Sequence, residues 1–321
     1  MLDKLLAILA DGAFHSGSDL GRTLGMSRSA VWKHMRRLEE LGLEVYSVKG
    51  RGYRVPGGLD LLDVEQLQQA LATIEGLAEL ELATEIDSTN ARALQRLQQG
   101  VPAGLYVAEY QHGGRGRRGR QWLSPLASSL CFTLAWRFNT GPAALEGLSL
   151  AVGVALQRAL VRLGLSDVAL KWPNDLLVDD AKLAGILIEL SGDAAGECQV
   201  AIGVGLNVRL PDNLLEQLDQ PATDLQSLGF AGTRGVLLVE LVTELVDVLN
   251  GFETGGFAPL RADWEAANAF AGRPVRLTSG NHSYEGMCVG VTDQGGLRLG
   301  MAQGEEVFHG GEVSVRIHEP A

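Results

Sequence analysis

QHGGRGRRGRQW, Gln111 to Trp122, sets four arginines (Arg115, Arg117, Arg118 and Arg120) among four glycines in a chain whose net charge is −12. Glycine admits positive φ, so the backbone N–H groups of such a loop can turn toward one point. Guanidinium forks add bidentate grips on phosphate oxygens. The loop lacks the GK[ST] ending of a P-loop. It lies between the strand-like YVAEY (106–110) and SSLCFTLAWRF (128–138), which makes it a connection inside a folded unit rather than a repetitive, disordered RGG tract. Three occupants are open: the phosphates of a nucleotide, a nucleic acid, or plain solvent around a basic turn. The setting favours the nucleotide.

Working outward, strand-like runs (TLAWRF, GILIEL, VAIGVGLNV) alternate with helix-like ones (LEGLSLAVGVALQRALVRLG, LLVELVTELVDVLNGF) over residues 59–270, an α/β or α+β pattern. From residue 271 the chain breaks into short alternating runs (PVRLTS, YEGMCVGV, GLRLG, EEVFHG, EVSVRI) split by Gly, Asn and Asp, which reads as a small antiparallel β-barrel. Residues 1–55 are helical, then end in a short alternating stretch, with Pro56-Gly57-Gly58 as a candidate hinge. The expectation is an α+β multidomain protein with boundaries near 58 and 270. Hydrophobic residues at 46% and charged residues at 21% are ordinary for a globular chain. No apolar run reads as reaching the roughly 18–20 residues of a bilayer span, and MLDKLLAILADGAFH reads as a core helix rather than a signal peptide. Cys131, Cys198 and Cys288 form no CxxC pair, which points to reduced thiols and a cytoplasmic protein.

Residues 1–58 carry nine Lys/Arg against six Asp/Glu, a net of +3, which leaves −15 for residues 59–321. A basic head on an acidic body assigns any large polyanion to the head. Ser18 or Ser16 can cap a helix over 19–24, Gly25-Met26-Ser27 makes a tight turn, and Ser27 can cap RSAVWKHMRRLEELG. At 100° per residue Val31, Met35, Leu38 and Leu41 fall inward, while Ser29, Trp32, Lys33 and Arg36 fall outward. This is a helix-turn-helix with its second helix suited to a major groove. VYSVKGRGYRV adds a hairpin wing with Lys49 and Arg51 at its tip. The candidate DNA contacts are Ser27, Arg28, Ser29, Trp32, Lys33, Arg36, Lys49 and Arg51. A solvated basic helix face is the plainer alternative.

Three further stations lie in the body. DSTN (87–90) sits at a strand-to-helix junction, either a simple cap or a set of donors at the helix's positive end. KWPND (171–175) turns at Pro173 and presents Asn174 and Asp175 at a strand end, as a plain turn or as a magnesium ligand or proton acceptor. Lys182 opens KLAGILIEL, as a strand-edge gatekeeper or as the partner of a carboxylate or phosphate.

DSTN, GRGRRGRQW, KWPND, KLAGILIE and IGVGLNV, in this order behind a helix-turn-helix, resemble the bacterial biotin protein ligases of the bifunctional kind, ligase and biotin operon repressor in one chain. The resemblance spans nearly the whole sequence. It implies a winged helix-turn-helix, a central class II synthetase-like domain with a mixed sheet, and an SH3-like C-terminal barrel. It implies that biotin and MgATP give biotinyl-5′-AMP, and that biotin then passes to a lysine of the biotin carboxyl carrier protein of acetyl-CoA carboxylase. By resemblance, Ser88, Thr89, Asn90, Gln111, Arg115, Gly116, Arg117 and Lys182 form the biotin site and its cover. Arg118, Arg120, Trp122, Lys171, Asn174 and Asn207 face the nucleotide. Lys182, Arg117 and Asp175 carry the chemistry, with Asp175 holding Mg²⁺ or helping to deprotonate the acceptor lysine. Biotinyl-5′-AMP is implied as corepressor, with a homodimer on operator DNA when it is bound and no membrane partner. One departure stands out. Some relatives carry a tryptophan in a second loop, near 211–224, that stacks on adenine, where this chain has no aromatic residue; either an apolar side chain replaces the stack, or adenylate-linked ordering is weaker. A ligand-sensing transcription factor without ligase activity and a lipoate ligase-like enzyme are the competing readings.

Overall fold

The computed structural model describes residues 1–192, 196–218, 220–310 and 313–318. The head begins with α1 (Leu2–Leu9), α2 (Gly17–Leu24) and α3 (Arg28–Glu40), followed by β1 (Tyr46–Val48) and β2 (Gly52–Arg54) as an antiparallel wing. Ser16 caps α2 by accepting from Asp19 N at 3.0 Å. Gly25 ends α2 at φ 65°, a left-handed position that suits glycine, and Ser27 caps α3 by accepting from Ala30 N at 3.2 Å. The α3 stripe of Val31, Met35 and Leu38 is buried, as is Leu41 just beyond it, while Ser29, Trp32, Lys33 and Arg36 are exposed. At the wing tip the Arg51 guanidinium lies 4.2 Å from the centre of the Phe14 ring, which fixes its direction.

The body adds α4 (Val64–Leu71), β3 (Glu79–Ile86), α5 (Thr89–Gln98), β4 (Gly104–Gln111), β5 (Ser129–Phe138), α6 (Leu148–Arg162), β6 (Ala169–Lys171), β7 (Asp175–Val178), β8 (Ala181–Gly192), β9 (Cys198–Asn207), α7 (Asp212–Leu215), α8 (Arg234–Gly255) and α9 (Arg261–Ala266). Its strands make one mixed seven-stranded sheet in the order β3-β4-β5-β9-β8-β7-β6, with β3 and β4 parallel and the other neighbours antiparallel. Helices α6 and α8 pack on one face and bury Val152, Leu156, Leu241 and Leu245 against it. Among the described residues, α5 is the helix that packs on the other, over Tyr106, Ala135 and Ala201. Half of that second face is therefore left for a site. The segment Pro142–Arg162 does have the length and composition of a membrane span, contrary to the sequence reading, but most of it is buried as a core helix. The C-terminal unit is a five-stranded antiparallel sheet, β13-β12-β11-β10-β14, built from β10 (Pro274–Ser279), β11 (His282–Val291), β12 (Leu297–Met301), β13 (Gly304–Phe308) and β14 (Val313–Ile317). It is consistent with an SH3-like fold, and its core (Val275, Leu277, Leu299) is continuous with that of the body. The three cysteines are buried and free.

Pro56-Gly57-Gly58 is not an open hinge. A Cβ on Gly58 would lie 2.3 Å from the Ala10 carbonyl oxygen, and Leu59 N donates to that oxygen at 3.1 Å. The linker is then clamped by Arg234, which is wholly buried. Its guanidinium pairs with Glu109 at 2.6 Å and donates to the Asp60 carbonyl at 2.8 Å, and Glu109 also accepts from Leu62 N at 2.8 Å. A buried ion pair of this kind is held by its extra hydrogen bonds, and removing one partner strands the other charge. From the body, Leu126 inserts into the head: it is 0% exposed, belongs to the cluster of Leu38, Leu41 and Leu43, and donates its N–H to the Leu41 carbonyl at 3.0 Å. Leu126→Ala is expected to destabilise the head by about 2–5 kcal/mol, the usual range for emptying a buried leucine site. The check is chemical denaturation of the full chain, where an unchanged midpoint for the head's helices would contradict a shared core.

Candidate active site

On the open face of the sheet the strands are bare. Gly185 of β8 pairs with Gly205 of β9, and Gly203 lies two residues away on the same side of β9. A Cβ at Gly205 would stand 2.3 Å from the Trp122 indole, and one at Gly203 would stand 2.1 Å from Asn90 Oδ1. Trp122 and Asn90 therefore lie directly on backbone, and the floor is flat because these positions have no side chains. Above it opens a cavity of about 380 Å³.

One end is polar. Ser88 caps α5, accepting from Ala91 N at 3.4 Å, so the cap reading and a cavity position hold together. Gln111 Oε1 accepts from Thr89 N at 2.9 Å and from Thr89 Oγ1 at 3.1 Å. Thr133, fully buried on β5 beside its strand partner Gly203, places its hydroxyl 2.8 Å from Thr89 Oγ1 and 2.6 Å from Asn90 Oδ1. With its oxygen so engaged, Gln111 turns its NH₂ toward the buried Cys131 thiol, beside the positive end of α5.

The other end is cationic. Lys182 Nζ lies 2.6 Å from Asp175 Oδ1, and Lys171 Nζ lies 3.8 Å from Asp175 Oδ2. A register shift between Leu176 and Leu177 makes β8 bulge: Leu177 pairs with Lys182, and Leu183 is skipped. Strict alternation from Gly185 would turn Lys182 to the α6 face; the bulge turns it into the cavity while Leu183 stays buried. Lys182 is thus no edge gatekeeper. Arg117 donates to Asn174 Oδ1 at 3.1 Å, and Asn174 Nδ2 donates to the Ile186 carbonyl at 2.8 Å. Burial pushes the Lys171 ammonium below its ordinary pKa, with Asp175 pulling the other way, and Arg117 is lowered by burial in the same fashion. Asn207 Nδ2 ties the carbonyls of Lys182 (3.3 Å) and Thr223 (3.1 Å) together.

The arginine stretch folds as a small hairpin. Trp122 N donates to Gly114 O at 2.9 Å and Gly116 N to Arg120 O at 2.7 Å, with Arg118 left-handed at φ 60°. The residues singled out in the sequence (Ser88, Thr89, Asn90, Gln111, Arg115, Gly116, Arg117, Arg118, Arg120, Trp122, Lys171, Asn174, Asp175, Lys182 and Asn207) all line this one cavity. Sequence reasoning missed the glycine floor, Thr133, and two further walls. Leu210, with Leu214 and Leu218 from the stretch that lacks an aromatic residue, supplies an aliphatic wall, and Val315 and Arg316 reach in from β14. The GVG alternation in β9 was the available signal for the floor; nothing local announced the contribution from β14. Among the described residues no three His, Cys, Asp or Glu side chains gather into a metal site. Asp175, already bracketed by two lysines, does not make a protein-built cage for Mg²⁺.

Comparisons with known proteins follow the same division of the chain. Residues 2–54 match an HTH domain, residues 82–207 the Biotin/lipoate A/B protein ligase family, and residues 270–316 the Biotin protein ligase C terminal domain. The chain is 40% identical to the bifunctional ligase/repressor BirA of Escherichia coli over 98% of its own length and 97% of the relative's. It is 37% identical to the biotin–[acetyl-CoA-carboxylase] ligase of Paracoccus denitrificans over 71% of this chain and 96% of that one. A biotin protein ligase from Aquifex aeolicus, solved in complex with biotin and ATP, superposes with a TM-score of 0.64 at 27% identity, covering 75% of this chain and all of that one. A bare-floored, cation-rimmed cavity on a mixed sheet, behind a helix-turn-helix head, is thus found in a chain that belongs to the biotin protein ligase family, in its bifunctional ligase/repressor branch.

Proposed function

We propose that this chain activates biotin with ATP as biotinyl-5′-AMP, transfers the biotinyl group to a lysine of a biotin carboxyl carrier domain, and represses transcription with the adenylate as corepressor. The observation that carries the reading is one cavity with a flat apolar slot and a polar end for a ureido ring, joined to a cluster of Lys171, Lys182 and Arg117 around one carboxylate. Joining a carboxylate to a triphosphate requires positive charge between two anions. Lys182 is assigned to the biotin carboxylate and the bridging oxygen. Lys171, Arg118 and Arg120 are assigned to the phosphates, with Asn174 and Asn207 holding the strand ends on that side. Trp122, lying across Gly185 and Gly205 beside Lys182, walls the slot between biotin and nucleotide. Mg²⁺ would arrive with the triphosphate and offset part of its charge.

The carboxylate oxygen attacks the α-phosphorus and pyrophosphate leaves. The acceptor lysine's amine then attacks the acyl carbon and AMP leaves. The amine must lose a proton, and Asp175 is the acidic side chain among the cavity-lining residues that can take it. The hairpin carrying Arg115, Gly116 and Arg117 covers the mixed anhydride and keeps water from it. Dimerisation on the adenylate is assigned to the sheet edge: the pairing of β8 with β7 stops at Gly185, and the strand runs on to Gly192 with Leu190 half exposed. Two heads would then meet a palindromic operator through Ser27, Arg28, Ser29, Trp32, Lys33 and Arg36 of the α3 face, and Lys49 and Arg51 of the wing.

Purified protein with biotin, MgATP and a carrier domain is expected to give biotinylated carrier, while lipoate in place of biotin gives none; failure to form any adenylate in folded protein sinks the ligase reading. Arg117→Ala is expected to speed biotinyl-AMP release by about 10–100-fold, as for losing a charge-assisted hydrogen bond. Retention equal to wild type would remove Arg117 from the cover. In gel-shift titrations with the adenylate present, Lys33→Ala with Arg36→Ala is expected to weaken operator binding by about tenfold or more and to flatten its salt dependence. Unchanged binding would place the DNA contact elsewhere.

A further inference from the structure

We propose that Glu189, outside the assigned site residues, is a positioning residue that ties the cavity floor to the arginine hairpin. The inference rests on the ligase reading above. Glu189 lies on the cavity side of β8, two residues past Leu187 and four past Gly185. One carboxylate oxygen, Oε2, accepts from Asn90 Nδ2 at 2.8 Å and from an Arg115 terminal nitrogen at 3.2 Å. Asn90 is buried, lies on Gly203, and has its oxygen held by Thr133 at 2.6 Å and its nitrogen also shared with the Leu187 carbonyl at 3.2 Å. An amide with both ends engaged cannot flip, and the carboxylate, at the shorter distance, joins the Leu187 carbonyl in requiring its NH₂ to face β8. That orientation runs back through Thr133 to Thr89 and Gln111. The same oxygen gives Arg115 an anchor on the sheet, so the hairpin's first arginine stands at a fixed place over the polar end of the slot. Glu189 thus sets two ligand-facing groups at once, one in the floor and one in the cover, without itself lining the cavity.

The two limbs respond differently to substitution. Glu189→Gln keeps an oxygen for Asn90 but removes the charge that faces Arg115, and Glu189→Asp keeps the charge on a shorter stem. Biotin KM, kcat for adenylate formation and the biotinyl-AMP release rate would be measured for wild type, E189Q, R115A and the double variant, with thermal melting as the check on folding. Glu189 is about a quarter exposed, so E189Q is expected to melt as wild type does. Its biotin KM should rise about tenfold, the equivalent of ~1.4 kcal/mol, with kcat little changed, and the double variant should be no worse than R115A alone. Biotin KM within twofold of wild type, or fully additive effects with R115A, would overturn the proposal. If E189Q melts early, the same cycle with E189D decides by the same criterion. A wild-type protein that forms no adenylate would instead sink the ligase reading itself, a result separable from normal kinetics in E189Q.

Discussion

The absence of side chains at Gly185, Gly203 and Gly205 is the constraint on which the rest of the site depends. A sheet face ordinarily presents a Cβ at every second residue, which keeps a flat ligand away from the backbone. Here three neighbouring positions are bare, so Trp122 and Asn90 settle onto the strands themselves. The cost is a stretch of sheet with little packing of its own. It is offset on the opposite face, where α6 and α8 bury a continuous aliphatic core. The bulge that skips Leu183 serves the same face, turning Lys182 into the cavity where unbroken alternation would have hidden it.

Charge is distributed to match. The body is strongly acidic, yet the cavity lining carries Arg115, Arg117, Arg118, Arg120, Lys171, Lys182 and Arg316 against Asp175 as its acidic side chain. Such a field concentrates on whatever anion enters, and it does so at the site rather than over the surface. The hairpin that supplies four of these arginines is linked to the head on both sides. On one side His112 pairs with Glu85 at 3.1 Å, and Glu85 pairs with Arg37 of α3 at 2.8 Å. On the other, Leu126 is part of the head's core. A ligand that orders the hairpin would therefore act on a segment linked to the head through Glu85 on one side and through Leu126 on the other.

Much of this was legible in the sequence for identifiable reasons. The caps at Ser16 and Ser27, the glycine at 25 and the α3 stripe are local signals, and local signals survive folding. The motifs DSTN, KWPND and KLAGILIE each admitted a bland reading, and only their convergence on one cavity separates Lys182 from an edge lysine or Asn174 from an ordinary turn. What could not be read depends on tertiary placement. Thr133 is a threonine in a strand until it is seen between Thr89 and Asn90. Leu126 follows a proline in a loop, with nothing in its neighbours to place it in the core of a different unit. Pro56-Gly57-Gly58 has the composition of a hinge but is pinned at Gly58, which is buried and meets the end of α1 where no larger residue fits. Arg316 entered the cavity from a barrel strand more than a hundred residues from the other lining residues of the sheet.

On the proposed function, one adenylate orders the Gln111–Trp122 hairpin and the ordering reaches the head. Native-state hydrogen exchange on the full chain, empty and after biotinyl-AMP has formed from biotin and MgATP, reads both ends together. The expected result is slowed exchange across residues 113–122, accompanied by slowed exchange at Leu41 and Leu43 beside Leu126. Formation of the adenylate with exchange in 113–122 left as it is in the empty protein would contradict the account.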